Sequence, residues 1–503
     1  MIIDLLENGN PSDIALATAG GGPAITYGGL KQQVHELSST LNHIGLGRGD
    51  RIAMALPNGI ELISSFLAAA VTGTAAPLNP AYKYDEFKFY LEDTKAKALI
   101  LPPGELQEAR QAAGESGVLI VEASVDAEGK VRYEAAGNAG SPRSTEAATA
   151  DDIALMLHTS GTTSRPKRVP LAHKNLSISA KNVAAWYQLS PDDVALCVMP
   201  LFHVHGLVAS TLATLTTGGQ VVIVPKFNPL SFWATVRDYR ASWYSAVPTI
   251  HQVLVSRTKP GTRPQGAEQL RFIRSCSAAL PPQTMADIEE RFGVPILEAY
   301  GMTEAAHQMA SNPLPPGARK SGSVGLGGRV SICILDEQGQ IMPPNTHGEV
   351  SIKGPNVFAG YEDNPQANAA AFTNGWFRTG DQGFLDDEGY LTLVGRIKEL
   401  INRGGEKISP REVDEALLRH PCVSEAVCFG IADRTYGEEV AAAVVLKAPA
   451  IESELRKHCE SMLAGFKVPK VIYIVEAIPK TPTGKIQRRI VSAEISKKQE
   501  KGI

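Results

Sequence analysis

The spacing of apolar residues alternates between helix-like and strand-like along most of this chain. Between positions 30 and 44 apolar residues recur every three or four positions, which predicts one buried face of a helix. The residues on that face are Leu30, Val34, Leu37, Leu41 and Ile44. Short apolar runs at 52–56 and 98–101 predict buried strands. Helices alternating with buried strands predict an α/β fold built from layered sheets.

The pattern changes in two places. Residues 124–150 are small and polar with little periodicity, which predicts a surface excursion between elements. From about residue 329 short alternating runs at 330–335 and 349–353 are separated by turn residues. These runs predict strands, and we expect them to form a small barrel-like layer.

A glycine pair and a helix start mark the next change. Gly404 and Gly405 predict a turn, and Ser409 precedes Pro410 at a position suited to a helix N-terminus. Glu412 lies three residues after Ser409, so we expect a capping box there.

A domain boundary near residue 396 follows from this change. Beyond it, strands are expected at 423–431, 440–446 and 471–475, with a helix near 452–463. The prediction is a large domain at 1–395 and a small α+β domain at 396–503. The most apolar stretch, 60–78, contains charged and polar residues and a proline, so it reads as a buried helix leading into a strand rather than a membrane span.

Composition excludes several classes of protein. The 503 residues carry 49 basic and 53 acidic side chains, so the net charge of −4 favours neither nucleic acid nor an anionic membrane as a partner. The six cysteines have no CxxC spacing, which argues against a zinc site and a disulfide framework. The start of the chain does not have the pattern of a signal peptide, so a cytoplasmic location is expected. No obligate protein partner is implied.

The segment 158–167, HTSGTTSRPK, is the strongest candidate for chemistry. It follows an apolar run at 153–157 and gathers hydroxyls, a glycine and cations in one loop, as a polyphosphate would require. The GxxxxGK[S/T] arrangement is missing, which disfavours a mononucleotide kinase. The candidate phosphate-binding residues are Thr159, Ser160, Gly161, Thr162, Thr163 and Lys167.

Five motifs in fixed order give this chain a recognisable resemblance. They are the loop at 159–167, AYGMTE at 299–304, WFRTGD at 376–381, GRIKE at 395–399 and PKTPTGK at 479–485. Together they resemble the AMP-forming acyl-CoA synthetases of the adenylate-forming superfamily over nearly the whole chain. The strings LFHVHGL, WYSAVPTIHQ, RFIRSCSA, AAHQMASNPLPPG and INRGGEKISP are further similar to its oxalate–CoA ligase branch.

The resemblance implies a two-step reaction with ATP, Mg²⁺ and coenzyme A. A carboxylate is first joined to the α-phosphate of ATP with loss of pyrophosphate, and the acyl group then passes to CoA. Lys485 would reach in from the small domain to stabilise the transition state, while Lys167 would hold the leaving pyrophosphate.

The resemblance also implies how the nucleotide is held. Asp381, assisted by Arg396, would bind the ribose hydroxyls, and Thr303 would touch the α-phosphate. Glu304 would be the magnesium ligand, because a cation that bridges phosphates takes few protein ligands. The adenine would lie against Tyr300, and its other expected contacts are Ala278, Ala279, Glu298 and Ala299.

The second step implies a movement of the small domain, because Lys485 occupies the space that the pantetheine arm must enter. By resemblance Lys398 is at the hinge, and Gly404 and Gly405 would line the CoA tunnel after rotation. Two positions depart from the family's loop, since Ser164 and Arg168 stand where glycine is common. Arg168 could add a phosphate contact or stiffen the loop, and the sequence leaves both open.

By resemblance the acyl pocket lies between residues 203 and 307. Polar and cationic side chains collect there, namely His203, His205, Arg274, Ser277 and His307. By resemblance His203 is also a candidate catalytic residue, with Lys485, Thr303 and Glu304. A long-chain or aryl acid would require an apolar lining, and a second buried carboxylate requires polar partners. The residues therefore favour a small dicarboxylate, with oxalate ahead of malonate. Alternatives are another short-chain acid–CoA ligase, a synthetase that serves a carrier protein, or a catalytically weakened nucleotide-binding protein.

Overall fold

The structure, a computed structural model, describes residues 1–136, 140–143, 147–159, 166–481 and 484–500. In chain order, the strands of this described part are β1 Ile14–Thr18, β2 Ala24–Thr26, β3 Arg51–Met54, β4 Thr74–Pro77, β5 Ala98–Leu101, β6 Leu119–Val125, β7 Val131–Ala136, β8 Ile153–Thr159, β9 Lys167–Ala172, β10 Val194–Cys197, β11 Gln220–Ile223, β12 Trp243–Ala246, β13 Phe272–Ser275, β14 Ile296–Met302, β15 His307–Ser311, β16 Ser331–Leu335, β17 Gly348–Lys353, β18 Phe372–Thr373, β19 Trp376–Leu385, β20 Leu391–Arg396, β21 Ile401–Arg403, β22 Glu406–Ile408, β23 Val423–Asp433, β24 Gly437–Leu446 and β25 Val471–Ile474.

The α-helices of the same residues are α1 Tyr27–His43, α2 Ile60–Thr72, α3 Tyr84–Thr94, α4 Gln107–Glu115, α5 His173–Trp186, α6 Ala213–Leu215, α7 Phe232–Asp238, α8 Pro248–Ser256, α9 Pro282–Phe292, α10 Pro365–Ala371, α11 Pro410–Leu418, α12 Glu452–Glu460 and α13 Arg488–Glu500. The predicted face of α1 is buried, and the Thr26 hydroxyl caps this helix by accepting from Gly29 N. None of the described helices is long and apolar enough to cross a membrane.

Two mostly parallel sheets form the bulk of the molecule, which confirms the predicted α/β class. One has the strand order β15-β14-β13-β12-β10-β11-β1-β2, and the other has the order β7-β6-β5-β3-β4-β8-β9. Strand β7 lies inside the segment expected to be a surface excursion, so that prediction was partly wrong. The strand forms because it pairs with β6 in an antiparallel ladder over 120–125 and 131–136, which a local pattern does not reveal.

Two further sheets follow along the chain. Strands β16, β17, β19 and β18 form an antiparallel sheet with β20 paired to β19, in the region where a small barrel-like layer was expected. The last sheet has the order β22-β21-β24-β23 with β25 paired to β24, and α11, α12 and α13 pack near it. We call the described residues from 397 onwards the C-terminal segment. Residues 397–400 join β20 to β21, and Ile397–Glu399 within them form a short 3₁₀ turn.

The expected capping box of α11 does not form. Pro410 occupies the first helical position as predicted, but the Ser409 side chain makes no capping bond. Its hydroxyl instead donates to Val394 O at 2.6 Å, and Glu412 pairs with Lys467 at 2.7 Å. Ser409 therefore ties the C-terminal segment to β20, a tertiary contact that overrides the local preference.

Candidate active site

The phosphate end of the site begins where β8 and β9 pair. Thr159 ends β8 opposite Lys167, which begins β9. The Lys167 ammonium lies 4.3 Å from the centre of the Tyr361 ring. Burial lowers the pKa of Lys167, and the charge of Glu304 opposes that shift. The predicted loop residues between these strands, Ser160, Gly161, Thr162, Thr163 and Ser164, lie outside the described residues.

Glu304 is a buried carboxylate at this end of the site. It follows Thr303 in a 3₁₀ turn at Thr303–Ala305, and its side chain is 5% exposed. The Tyr361 hydroxyl donates to Glu304 Oε1 at 2.8 Å, while Phe358 N donates to the Glu304 carbonyl at 2.8 Å. Tyr361 therefore joins Lys167 and Glu304, and the motifs in the sequence did not indicate it.

The opposite end is organised around Asp381. Arg396 Nε lies 2.8 Å from Asp381 Oδ1, and the Tyr300 hydroxyl donates to Oδ2. The ladder between β19 and β20 sets Asp381 directly opposite Arg396, so the pair is fixed by register. Gly380 precedes the aspartate inside β19, where the register with β17 shifts, and its φ of +75° is a conformation that favours glycine.

The loop after β13 lies against this end. Ala278 and Ala279 are exposed there, and Glu298 Oε1 accepts from Leu280 N at 2.9 Å. Burial raises the pKa of Glu298 to about 7, with the charge of Arg411 opposing the shift. Glu298 thus holds the backbone of this loop at Leu280. Ala299 lies between Glu298 and Tyr300 in β14.

Four of the five predicted acyl-pocket residues form one hydrogen-bonded group, namely His205, Arg274, Ser277 and His307. The fifth, His203, lies with its ring centre 4.8 Å from that of Phe202. His205 Nδ1 lies 3.0 Å from Ser277 Oγ, and its Nε2 lies 2.6 Å from Ser245 Oγ. The His205 and His307 rings are 5.2 Å apart, and Arg274 Nη2 donates to His307 Nδ1 at 3.3 Å. The structure therefore brings together residues that lie as much as 102 positions apart in the chain.

Arg274 is the only cation of this group and has no exposed surface. Its Nε donates to the Tyr187 hydroxyl at 2.9 Å, and its Nη1 donates to Ser245 Oγ at 3.0 Å. Its Nη2 also donates to Gln308 Oε1 at 3.2 Å. Within the part of the chain that the structure describes, no carboxylate pairs with Arg274, although a buried charge ordinarily requires a counter-ion.

Burial favours the neutral form of the three histidines. Burial, with a smaller effect of the Lys485 charge, lowers the pKa of His203 to about 4. Burial and the Arg274 guanidinium hold the pKa values of His205 and His307 well below the ordinary range. Neutral imidazoles can act both as donors and as acceptors in the pocket.

The backbone around the pocket is irregular. His307 has φ +112° and Ser277 has φ +73°, both outside the conformations that residues with a Cβ ordinarily adopt. His205 begins a π-helix at His205–Leu212. Such departures are held in place by surrounding structure and occur often at functional sites.

Lys485 reaches this site from the C-terminal segment. A Cβ added to Gly484 would lie 2.8 Å from Thr249 Oγ1, so the backbone of this motif packs closely on α8. The Lys485 side chain keeps solvent contact, yet surrounding atoms and the Arg396 charge lower its pKa. The carboxylates of Asp381 and Glu304 act on it in the opposite direction. Pro482 and Thr483 of the motif lie outside the described residues.

Two family profiles match this chain. The AMP-binding enzyme profile matches residues 7–362, and the profile of the AMP-binding enzyme C-terminal domain matches residues 412–485. The chain belongs to the AMP-binding enzyme family. This confirms the resemblance that the five motifs indicated.

Relatives within the AMP-binding enzyme family match over nearly their full length. An oxalate–CoA ligase of Arabidopsis thaliana is 47% identical, with 94% of each chain covered. An oxalate–CoA ligase of Saccharomyces cerevisiae is 46% identical, with 90% of this chain and 88% of the relative covered. The crystal structure of ATP-bound MatB from Rhodopseudomonas palustris is 30% identical, with a TM-score of 0.88 and 98% of each chain covered.

The arrangement of this AMP-binding enzyme resembles the nucleotide-bound form of MatB more than the apo form. The apo structure of the same protein gives a TM-score of 0.78 at equal coverage. In the present structure the C-terminal segment delivers Lys485 to the site. At the hairpin that contains Gly404 and Gly405, Gly404 N donates to Tyr436 O and Gly405 N donates to Asn402 Oδ1.

Lys398 lies in the 3₁₀ turn that joins β20 to the C-terminal segment. Its side chain is exposed, and its charge is close enough to lower the pKa of Lys167, after the larger effect of burial. The chain leaves the sheet of β20 and enters the sheet of β21 at this turn. A rotation between the two sheets would therefore change the backbone angles here, as the predicted hinge requires.

Arg168 is held by acidic side chains of the described residues, which favours a structural role over a phosphate contact. Its guanidinium lies 2.7 Å from both Glu362 Oε2 and Asp363 Oδ2, and 3.3 Å from Asp93 Oδ2. Arg168 is adjacent to Lys167 in a strand, so its side chain points to the opposite face. Among the described residues its charged partners are these three carboxylates, which hold the start of β9.

Proposed function

We propose that this protein is an ATP-dependent acid–CoA ligase that converts oxalate, ATP and CoA into oxalyl-CoA, AMP and pyrophosphate. The observation that carries the choice of acid is Arg274, a buried cation without an acidic partner among the described residues, surrounded by neutral hydrogen-bonding groups. The two oxalate–CoA ligase relatives support the same choice.

In the first half-reaction an oxalate oxygen forms a bond to the α-phosphorus of ATP, and the bond from that phosphorus to the bridging oxygen of pyrophosphate breaks. Lys485 and Thr303 stabilise the charge at the α-phosphate, and Lys167 stabilises the departing pyrophosphate together with the loop residues Thr159, Ser160, Gly161, Thr162 and Thr163. Fixed cations suit this step because they need no rearrangement as charge moves.

The nucleoside is held at the Asp381 end. Asp381 accepts hydrogen bonds from the ribose hydroxyls, while Arg396 and the Tyr300 hydroxyl hold its carboxylate in place. The adenine lies between the Tyr300 ring and the exposed backbone of the loop after β13. The residues that form or support this surface are Ala278, Ala279, Glu298 and Ala299.

The geometry fits a Mg²⁺ ion carried by ATP rather than one held by the protein alone. Among the described residues no group of three or more potential metal ligands is present. Glu304 offers a carboxylate beside Lys167, and Tyr361 occupies only its Oε1. A cation that takes most of its ligands from phosphates and water needs no more than this, and it would neutralise phosphate charge.

The acyl pocket offers hydrogen-bonding partners for the second carboxylate of a dicarboxylic acid. One carboxylate of oxalate faces Lys485 and the α-phosphate, and the other faces Arg274, His307 and Ser277. His203 and His205 complete the polar wall as neutral imidazoles. An acetate methyl or an aryl ring in the same place would leave these groups without hydrogen-bonding partners.

The second half-reaction requires a rearrangement. The CoA sulfur bonds to the oxalyl carbon, and the bond between that carbon and the AMP oxygen breaks. Lys485 would fill the approach of the pantetheine arm during the first half-reaction, so we propose that residues 396–503 rotate relative to 1–395 about Lys398. The rotation would bring Gly404 and Gly405 to the pantetheine channel.

We also propose a cytoplasmic location, which the free cysteines of the chain support.

Malonate or another short acid is the nearest alternative substrate, and transfer to a carrier protein is an alternative second step. A weakened nucleotide-binding protein is not favoured, because Arg168 is paired with acidic side chains and Lys485 is close enough to Asp381 and Glu304 for their charges to act on it.

The test is carboxylate-dependent exchange of labelled pyrophosphate into ATP, measured with oxalate, malonate, acetate, octanoate and cinnamate. Oxalate should support the fastest exchange, with malonate slower. Faster exchange with octanoate or cinnamate would refute the choice of acid. Absence of exchange with every acid would refute the ligase assignment.

A further inference from the structure

Gln308 controls how Arg274 is held, although no motif singled it out. The side chain is 6% exposed and follows His307 on β15. Its Oε1 accepts from Arg274 Nη2 at 3.2 Å and from the Tyr187 hydroxyl at 3.2 Å. Because a guanidinium only donates, the amide must present its oxygen to Arg274, so its orientation is determined.

The neutrality of Gln308 is the informative feature. A glutamate has the same size and could place an oxygen at the same distance from Arg274, where it would form a buried ion pair. The glutamine supplies the same acceptor without the charge. The Tyr187 and Ser245 hydroxyls and His307 also supply acceptors, and the Cys276 thiol interacts with Arg274 as well. None of these described partners is a carboxylate.

We propose that Gln308 is a specificity-determining residue that keeps the Arg274 charge available, so that the distal carboxylate of the acid is its counter-ion. The proposal rests on the proposed function and goes beyond it, because it assigns the preference for a dianion to a neutral residue that acts through Arg274. A carboxylate at position 308 would take the place of the distal carboxylate electrostatically and would repel it.

The surroundings of Gln308 can accommodate a glutamate in its place. Gln308 also borders a cavity of about 320 Å³, together with Asn182, Trp186 and Arg329. Asn182 Nδ2 makes no hydrogen bond within the described part of the chain, and its side chain is nine-tenths buried. A carboxylate at 308 would therefore have Arg274 on one side and polar neighbours at the cavity, so the variant is expected to fold.

The experiment compares two acids of equal size in the variant Gln308→Glu. Oxalate carries a distal carboxylate, and oxamate replaces it with a neutral amide whose N–H groups can donate. We expect the ratio of kcat/KM for oxalate to that for oxamate to fall by about a hundredfold or more relative to the wild type, with the KM for ATP unchanged. A role in packing alone would not change this ratio.

The matched control is Gln308→Met, which keeps the size and neutrality of the side chain but removes the acceptor. Both acids should then be used less well, and their ratio should stay close to that of the wild type. An unchanged ratio in Gln308→Glu would overturn the proposal. Loss of the folded state in Gln308→Glu but not in Gln308→Met would also overturn it, because the introduced carboxylate would then lack the cationic partner assigned to it.

Failure of the proposed function has a different signature. In that case the wild type itself would not use oxalate. If the wild type prefers malonate, the same comparison is made with malonate and its monoamide, and the ratio should fall in the same way.

Discussion

At the scale of single residues, Lys485 carries the most specific role. It comes from the C-terminal segment, yet its charge acts on the three histidines of the acyl pocket and on Asp381. A lysine so placed can stabilise charge at a reacting phosphate between those groups. The PTGK context in the sequence predicted this role, but only the fold shows how near the acyl pocket lies.

Replacing Lys485→Ala should lower oxalate-dependent pyrophosphate exchange by about a hundredfold or more, because one partner of the transition-state charge is lost. Thioester formation from supplied oxalyl-adenylate should largely survive. The control is Lys480→Ala, since that lysine belongs to the same segment but pairs with Glu425 at 2.7 Å. Equal losses in both half-reactions would contradict the assigned role.

Arg168 differs from Lys485, because we expect it to stabilise the fold rather than to act on the substrate. It lies next to the predicted phosphate loop but pairs with carboxylates. Its side chain is 11% exposed, and Arg168→Ala would leave Asp93 and Glu362 with fewer cationic partners. We expect the free energy of unfolding to fall by about 3 kcal/mol, measured in urea, with a much smaller change in KM for ATP.

The exposed pair of Lys174 and Asp151 provides the comparison for Arg168. Lys174→Ala should cost less than about 1 kcal/mol, because solvent screens an exposed pair. A selective rise in KM for ATP in Arg168→Ala, without loss of stability, would show that Arg168 contacts phosphate after all.

At the scale of elements, the strands were the most predictable feature. The run at 98–101 matches β5, and the alternation near 330–335 and 349–353 lies within one residue of β16 and β17. Strand β7 and the cap of α11 were mispredicted because one depends on pairing with β6 and the other on the bond from Ser409 to Val394 O, and the spacing of apolar residues encodes neither. The same limit applies to Tyr361 and Gln308, whose importance comes from contacts that no local spacing encodes.

The 3₁₀ turn at Ile397–Glu399 is the element on which the second half-reaction depends. Lys398→Pro fixes φ at this position and should restrict rotation. Pyrophosphate exchange should be retained while consumption of CoA falls by about tenfold or more, an order of magnitude typical of a blocked conformational step. Lys398→Ala, which leaves the backbone free, serves as the control. Normal rates of both half-reactions in Lys398→Pro would show that rotation at this turn is not needed.

At the scale of the whole molecule, Glu298 links the nucleotide loop to the C-terminal segment. It holds Leu280 N while Arg411 and Glu415 of α11 act on its charge. Burial raises its pKa from 4.5 to about 7, so its contribution to stability is present below pH 4.5 and is lost as pH rises through 7.

Replacing Glu298→Gln keeps an acceptor for Leu280 and removes this titration. Between pH 5 and pH 8 the wild type should lose up to about 3 kcal/mol more stability than the variant, as measured by denaturant unfolding at both pH values. Exposed Glu290→Gln on α9 is the control and should follow the wild type. Parallel pH profiles for wild type and Glu298→Gln would contradict the assignment.

The sequence therefore predicted which residues form the site better than it predicted their charge states and ion pairs. The motifs placed Lys167, Asp381, Arg396 and Lys485 in one site, and the fold brings them together. That Arg274 lacks an acidic partner among the described residues, and that the histidines beside it are neutral, follows only from burial and contacts. These two properties carry the central claim, which is that the pocket is built for a second negative charge.

The most direct measurement of that claim is a competition in a single reaction. The wild-type enzyme receives ATP, Mg²⁺ and CoA with equal concentrations of oxalate, malonate, acetate and cinnamate, and the thioesters are quantified by mass spectrometry at low conversion. The account predicts that oxalyl-CoA is the main product, followed by malonyl-CoA. A predominance of acetyl-CoA or cinnamoyl-CoA would contradict it.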